Sequence, residues 1–113
     1  MDHRYWGIQK MPEKKAPEAA IKYIQFLRNQ NPGMIKAYLF GSFAKGNAGR
    51  DSDIDIAIVF DDFSDSFDMQ VELMKLRRKF DIRIEPHPFR KHDFNVSNPI
   101  ASDILATGVE IAA

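Results

Sequence analysis

The chain has 113 residues, of which 44% are hydrophobic and 12% aromatic, and its 16 Lys plus Arg balance 16 Asp plus Glu. That supports one ordinary globular core, leaves no room for a separate substrate domain, and excludes a disordered or collagen-like chain. A net charge of zero supplies no overall basic field to draw the protein to DNA or to an anionic membrane, so nucleic acid is disfavoured as a partner.

Residues 1–15 read as an N-terminal arm, and residues 16–113 as the domain. The arm lacks the apolar core of a signal peptide, no apolar run is long enough to span a bilayer, and cysteine is absent, so the expected compartment is the reducing cytoplasm. Tyr5 and Trp6 in the arm are expected to dock on a surface. Pro17 suits the first turn of a helix, and Ala20, Tyr23, Ile24 and Leu27 follow as one apolar stripe, stopped by Asn31-Pro32-Gly33. MIKAYLF, from Met34 to Phe40, reads as a strand ending abruptly at Gly41-Ser42.

From Asp53 to Phe60 the sequence alternates, with Ile54, Ile56, Ile58 and Phe60 on one face and Asp53, Asp55, Ala57 and Val59 on the other. Met69, Leu73, Leu76 and Phe80 repeat at helical spacing and predict a helix over about 66–79, with Arg77, Arg78 and Lys79 suited to its C-terminal end. In FDIRIEP, Ile82 and Ile84 are expected in the core, Asp81, Arg83 and Glu85 on the opposite face, and Pro86 and Pro88 at the end of the ladder. His87 and His92 then fall in a surface loop, and Phe89 and Phe94 in the core. Asn98-Pro99 opens a last helix, Gly108 stops it, and VEI forms a short edge strand. The expected fold class is α/β (α+β): a small mixed sheet with helices packed on one face.

The neutral total hides an asymmetry. Residues 1–50 hold nine basic and three acidic side chains, residues 51–113 seven and thirteen, and the stretch from Asp51 to Glu72 holds eight acids and no base. Such a concentration repels itself unless it is solvated or neutralised by a cation. Asp53 and Asp55, two residues apart on one pleat face, can both reach a hard divalent ion. A calcium loop starting at Asp51 fails, because Ile56 replaces the turn glycine and Asp62 the bidentate Glu. A P-loop over Gly41 and Gly46 fails as well, because Asn47-Ala48 stand where Lys and Ser/Thr are needed.

The stronger signal is a combination: Gly41-Ser42 at the end of one strand, Asp53-Ile54-Asp55 at the start of the next, and a further carboxylate on FDIRIEP. Gly41 allows close backbone approach to a ligand, Ser42 offers a hydroxyl and an N–H, and Lys45 and Arg50 in the same loop can meet phosphate oxygens. The segment LFGSFAKGNAGRDSDIDIAIVF resembles the signature of the DNA polymerase beta-like nucleotidyltransferase superfamily. The short length makes the chain most similar to the minimal nucleotidyltransferases, small prokaryotic proteins paired with a HEPN-domain partner as antitoxin to toxin. The resemblance covers about residues 17–112. It implies the polymerase beta-like fold, nucleotide binding by Gly41, Ser42, Lys45 and Arg50, and Mg²⁺ bound by catalytic Asp53 and Asp55. It favours Asp81 as the third catalytic, metal-binding carboxylate, with Glu85 as the alternative and Arg83 as a neighbour that neutralises the site.

The expected function is then Mg²⁺-dependent transfer of a nucleoside monophosphate, AMP from ATP foremost, to a hydroxyl of a partner protein. The resemblance implies a tyrosine of a HEPN toxin as that hydroxyl, and homo- or hetero-oligomers are both open. The alternatives are an antitoxin that neutralises its partner by docking without catalysis, and a small-molecule transferase of the antibiotic-modifying kind. The latter usually carries an added helical domain that this chain lacks.

Overall fold

The structure, a computed structural model, describes residues 16–112. The expectations for the arm, including Tyr5 and Trp6, lie outside the described residues. Four strands and four α-helices follow in the order α1 (Glu18–Gln30), β1 (Met34–Phe40), α2 (Ser42–Lys45), β2 (Ile54–Phe60), α3 (Ser66–Leu76), β3 (Ile84–Arg90), α4 (Pro99–Thr107) and β4 (Val109–Glu110). A 3₁₀ turn over Arg77–Lys79 extends α3, and another follows β3 at Lys91–Asp93.

The sheet order is β3-β2-β1-β4. β1 pairs antiparallel with β2 and β4, whereas β2 and β3 run parallel because α3 crosses between them. This is the mixed sheet expected from the order of the elements. The apolar stripe of α1, Ala20, Tyr23, Ile24 and Leu27, is buried in one cluster with Ala37, Leu39, Ile54, Ile56, Ile58, Phe60, Leu73 and Ile84. Each large aliphatic side chain in that cluster is worth about 1.5–3 kcal/mol of burial. Tyr23 locks the two helices together: its hydroxyl donates to the Leu73 carbonyl at 2.8 Å. Burial pushes the Tyr23 phenol well above its ordinary value, against a smaller pull downward from Arg77.

Local chemistry sets the element ends. Asp65 caps α3 by accepting from the Asp68 N–H at 2.9 Å, and Asn98 caps α4 by accepting from Ile100 and Ala101, with Pro99 at the first helical position.

β3 departs from expectation at both ends. Residues 81–83 form a turn instead of a strand, and Ile82 is 71% exposed instead of buried in the core. The cause is Asp81, whose Oδ1 accepts from the Arg83 N–H two residues on, while its carbonyl accepts from Ile84 N–H, a side-chain-stabilised turn that ends in the strand. At the other end the strand runs through both prolines to Arg90. β3 is an edge strand, and the Ile54 N–H bonds to the Arg83 carbonyl. By the alternation of a parallel ladder, residues 85, 87 and 89 then turn their N–H groups to β2 and residues 84, 86 and 88 turn theirs outward, where proline has nothing to lose. The outward carbonyls are met from the α3 side, Pro86 by Gln70 Nε2 at 2.9 Å and Ile84 by Arg77 Nη1 at 2.8 Å.

Candidate active site

Three register pairs align a row of residues across the sheet. Phe40 on β1 lies opposite Asp55 on β2, Asp55 opposite Glu85 on β3, and next along the strands Ala57 opposite His87. Because side chains alternate along a strand, Asp55, Glu85, Ala57 and His87 share the face opposite the core isoleucines. Farther along the same face, Phe94 stacks on Tyr38 and meets Phe89 edge to face, an aromatic cover that leaves the Asp55 end open.

Gly41 sits directly over that end. Its φ of +73° and ψ of −149° belong to glycine, and a Cβ there would come within 2.5 Å of Asp55 Oδ2. The turn and the carboxylate therefore occupy one space that no other residue type leaves open. Ser42 follows as the first residue of the four-residue α2, which Gly46 ends in the left-handed conformation. Lys45 is exposed at the end of α2, Arg50 is exposed in the segment beyond, and Asp53 is exposed one residue before β2 begins.

Glu85 and Asp81 differ in their surroundings. Glu85 stands one strand over from Asp55, about 4.8 Å away in the hydrogen-bonding direction. Its Oε2 lies 3.3 Å from Arg77 Nη1, which reaches around the outer edge of β3. Asp81 is committed to the turn before β3, with its carboxylate gripped by Arg83: Nη2 to Oδ2 at 2.8 Å and Nε to Oδ1 at 3.1 Å. The Arg83 hydrogen bonds hold the Asp81 carboxyl below its ordinary value of 3.8, against a smaller rise from burial, and Asp81 in turn raises the Arg83 guanidinium. Arg83 Nη1 also donates to the Arg50 carbonyl at 2.8 Å, which straps the loop ahead of Asp53 to the start of β3. Arg83 thus neutralises Asp81 and braces the loop.

His87 escaped the sequence reading, which assigned it to a surface loop. Its Nε2 lies 3.2 Å from Asp55 Oδ1, and its ring meets Phe40 edge to face with centroids 5.1 Å apart. The signal was the period of two from Glu85, hidden by treating Pro86 as the strand's end. His92 is on the surface, beside Asp93.

The carboxylate oxygens of this face are the ligand type a hard divalent cation takes. They lie on adjacent strands beneath a glycine that only a bare backbone could place so near. With the side chains as they stand, no three His, Asp or Glu groups among the described residues surround a common point, Glu85 being drawn to Arg77.

The family description "Polymerase beta, Nucleotidyltransferase" matches residues 22–111, a span that includes the glycine turn, Asp53, Asp55, Asp81 and Glu85. Among solved structures, the chain is similar to a nucleotidyltransferase from Sulfolobus solfataricus, with TM-score 0.60 and 21% identity over 82% of this chain and 76% of that one. It is also similar to a toxin–antitoxin structure with AMP-PNP, with TM-score 0.63 and 24% identity over 86% and 74%. A third likeness is to the toxin–antitoxin MntA–HpeT carrying two aspartate-to-glutamate changes two positions apart, with TM-score 0.59 and 25% identity over 81% and 71%. No curated protein matches the chain. The solved structures share the fold, and the family match runs through every element that builds the site. The chain belongs to the polymerase beta nucleotidyltransferase family.

Proposed function

We propose that this nucleotidyltransferase transfers the nucleoside monophosphate of a triphosphate, ATP foremost, to a hydroxyl on a partner protein, a HEPN toxin, and so acts as its antitoxin. The observation that carries the reading is the Phe40–Asp55–Glu85 row beneath Gly41. The partner is suggested by the similarity to toxin–antitoxin structures, and the nucleotide by the AMP-PNP in one of them.

Asp53, Asp55 and Glu85 are the residues that would hold divalent cations, Mg²⁺ foremost, whose chemistry is to neutralise the triphosphate and polarise its α-phosphorus. Register supports Glu85 as the third carboxylate. Asp81 is better suited to hold Arg83 and the loop. The backbone at Gly41-Ser42 would take the triphosphate close against Asp55, and Lys45 and Arg50 would meet its outer oxygens from the exposed loop. A new bond forms between the acceptor oxygen and the α-phosphorus, the bond to pyrophosphate breaks, and the hydroxyl proton passes to a carboxylate of the row or to water. Glu85 must leave Arg77 to take part, a side-chain rotation with the strand fixed.

The test is to incubate the protein with its co-expressed partner, Mg²⁺ and α-labelled ATP. Label on the partner, abolished by Asp53→Asn with Asp55→Asn while the circular dichroism spectrum is kept, is the expected result. Neutralisation of the partner with no label would support the docking antitoxin instead. The Glu85–Arg77 pair favours that second reading for as long as it stays closed.

A further inference from the structure

Met69, Leu73 and Leu76 turn one side of α3 into the core. On the side away from it Phe67, Val71 and Met74 follow at i, i+4 and i+7, with Arg78 one turn on. Nothing in the proposed transfer uses this stripe. Phe67 stands 75% exposed at its N-terminal end. At its C-terminal end Val71, Met74 and the outward-turned Ile82 line an open groove of about 340 Å³, with Lys75 and Arg78 on its rim. The helix thus carries an apolar knob and an apolar hollow about 10 Å apart, the rise of seven residues.

The charges are offset in the same way. Gln70 and Arg77, seven residues apart, bond to β3 carbonyls on one flank of the stripe. Asp68 and Lys75, also seven apart, share the other flank, and both are exposed. Asp65 and Asp68 stand at the start of the helix, Lys75 and Arg78 at its end. We propose that this face binds a second copy of the chain, the two α3 helices running antiparallel about a two-fold axis beside Val71. The antiparallel setting exchanges the ends: Phe67 of each copy enters the hollow at Met74 of the other, and Asp68 of each faces Lys75 of the other. A two-fold interface requires one patch to complement itself, and a knob with a matching hollow, and opposite charges at the same offset, meet that requirement. Because α3 packs on the core side of the sheet, the Asp55 face of each copy stays open.

The test is sedimentation of the full chain over a concentration series, with the fold of each variant checked by circular dichroism. Wild type is expected as a dimer that grows no further. Phe67→Ser, which removes an exposed side chain, should raise the dissociation constant at least about tenfold. Asp68→Lys and Lys75→Glu should each weaken the dimer, and their combination should restore it, because the exchanged charges meet again across the axis. The sequence has no cysteine, so Val71→Cys supplies a single thiol. Mild oxidation should link that variant into a covalent dimer and leave Asp103→Cys, on α4, unlinked. A monomer at every concentration, a dimer indifferent to Phe67→Ser, or open-ended assembly would overturn the proposal. A dimer that Phe67→Ser weakens but the double exchange does not restore would overturn the antiparallel arrangement. Loss of binding to the co-expressed partner in Phe67→Ser, with no self-association in wild type, would assign the face to that partner and overturn the second copy as its occupant.

Discussion

Asp81 and Glu85 stand four residues apart in FDIRIEP, and their surroundings give them different work. A carboxylate already bonded twice by one guanidinium and once by a backbone N–H has few lone pairs left for another ligand, which describes Asp81. Asp81→Asn should therefore act on stability, at about 1–3 kcal/mol. Its pH dependence has a definite sign. The folded carboxyl titrates below 3.8, so its stabilising contribution is complete above the unfolded value and drains away as pH falls through 3.8 and on through the lower folded value. The stability gap between wild type and Asp81→Asn, measured by urea unfolding, should be level above about pH 5 and shrink below it. A gap independent of pH down to the acid limit would contradict the pairing. Gly41→Ala faces both a forbidden backbone conformation and the Asp55 carboxylate. It should cost about 1–3 kcal/mol and at least about a hundredfold in transfer, because the strand end and the carboxylate must separate. Wild-type turnover by Gly41→Ala would remove the glycine from the site.

At the scale of elements, β3 decides which residues can meet. An edge strand accepts proline wherever the N–H faces outward, so Pro86 and Pro88 extend the strand and bring His87 onto the face of Asp55. They also blunt an edge that would otherwise offer free donors to another chain. Pro88→Val restores one outward N–H. It should leave the fold intact and raise concentration-dependent association, read by light scattering; unchanged monodispersity at high concentration would argue against an edge-protecting role. The strand from Ile54 to Phe60 and the helix stripes were legible in the sequence because their periods are uninterrupted and each buries a continuous face. The turn at residues 81–83 was not, because the local pattern there matches a strand while the short side chain of Asp81 prefers to close a turn. His87 was missed for the related reason that proline looks the same in a terminator and in a strand edge.

For the whole molecule, a single core behind the sheet holds the reacting face in place. Ile54, Ile56 and Ile58 are fully buried and alternate with the site-side residues, so the two faces of β2 are rigidly coupled through one backbone. Ile56→Ala should destabilise by about 2–5 kcal/mol, with a loss of transfer that follows the unfolded fraction and disappears at low temperature. The general architecture and the Gly41–Asp55 encounter could be foreseen because both depend on neighbours in sequence and on one strand pair. The Arg77 reach to Glu85 and the Arg83 strap to Arg50 join segments whose approach only the folded chain defines. We propose that nucleotidyl transfer is carried by Asp53 and Asp55 at the start of β2 and Glu85 on β3, with Asp81 supporting the loop. Transfer of label from α-labelled ATP to the partner, compared between Glu85→Gln and Asp81→Asn at a temperature where both are folded, tests it most directly. Label is expected to be lost with Glu85→Gln and kept with Asp81→Asn; the reverse pattern would assign the third carboxylate to Asp81 instead.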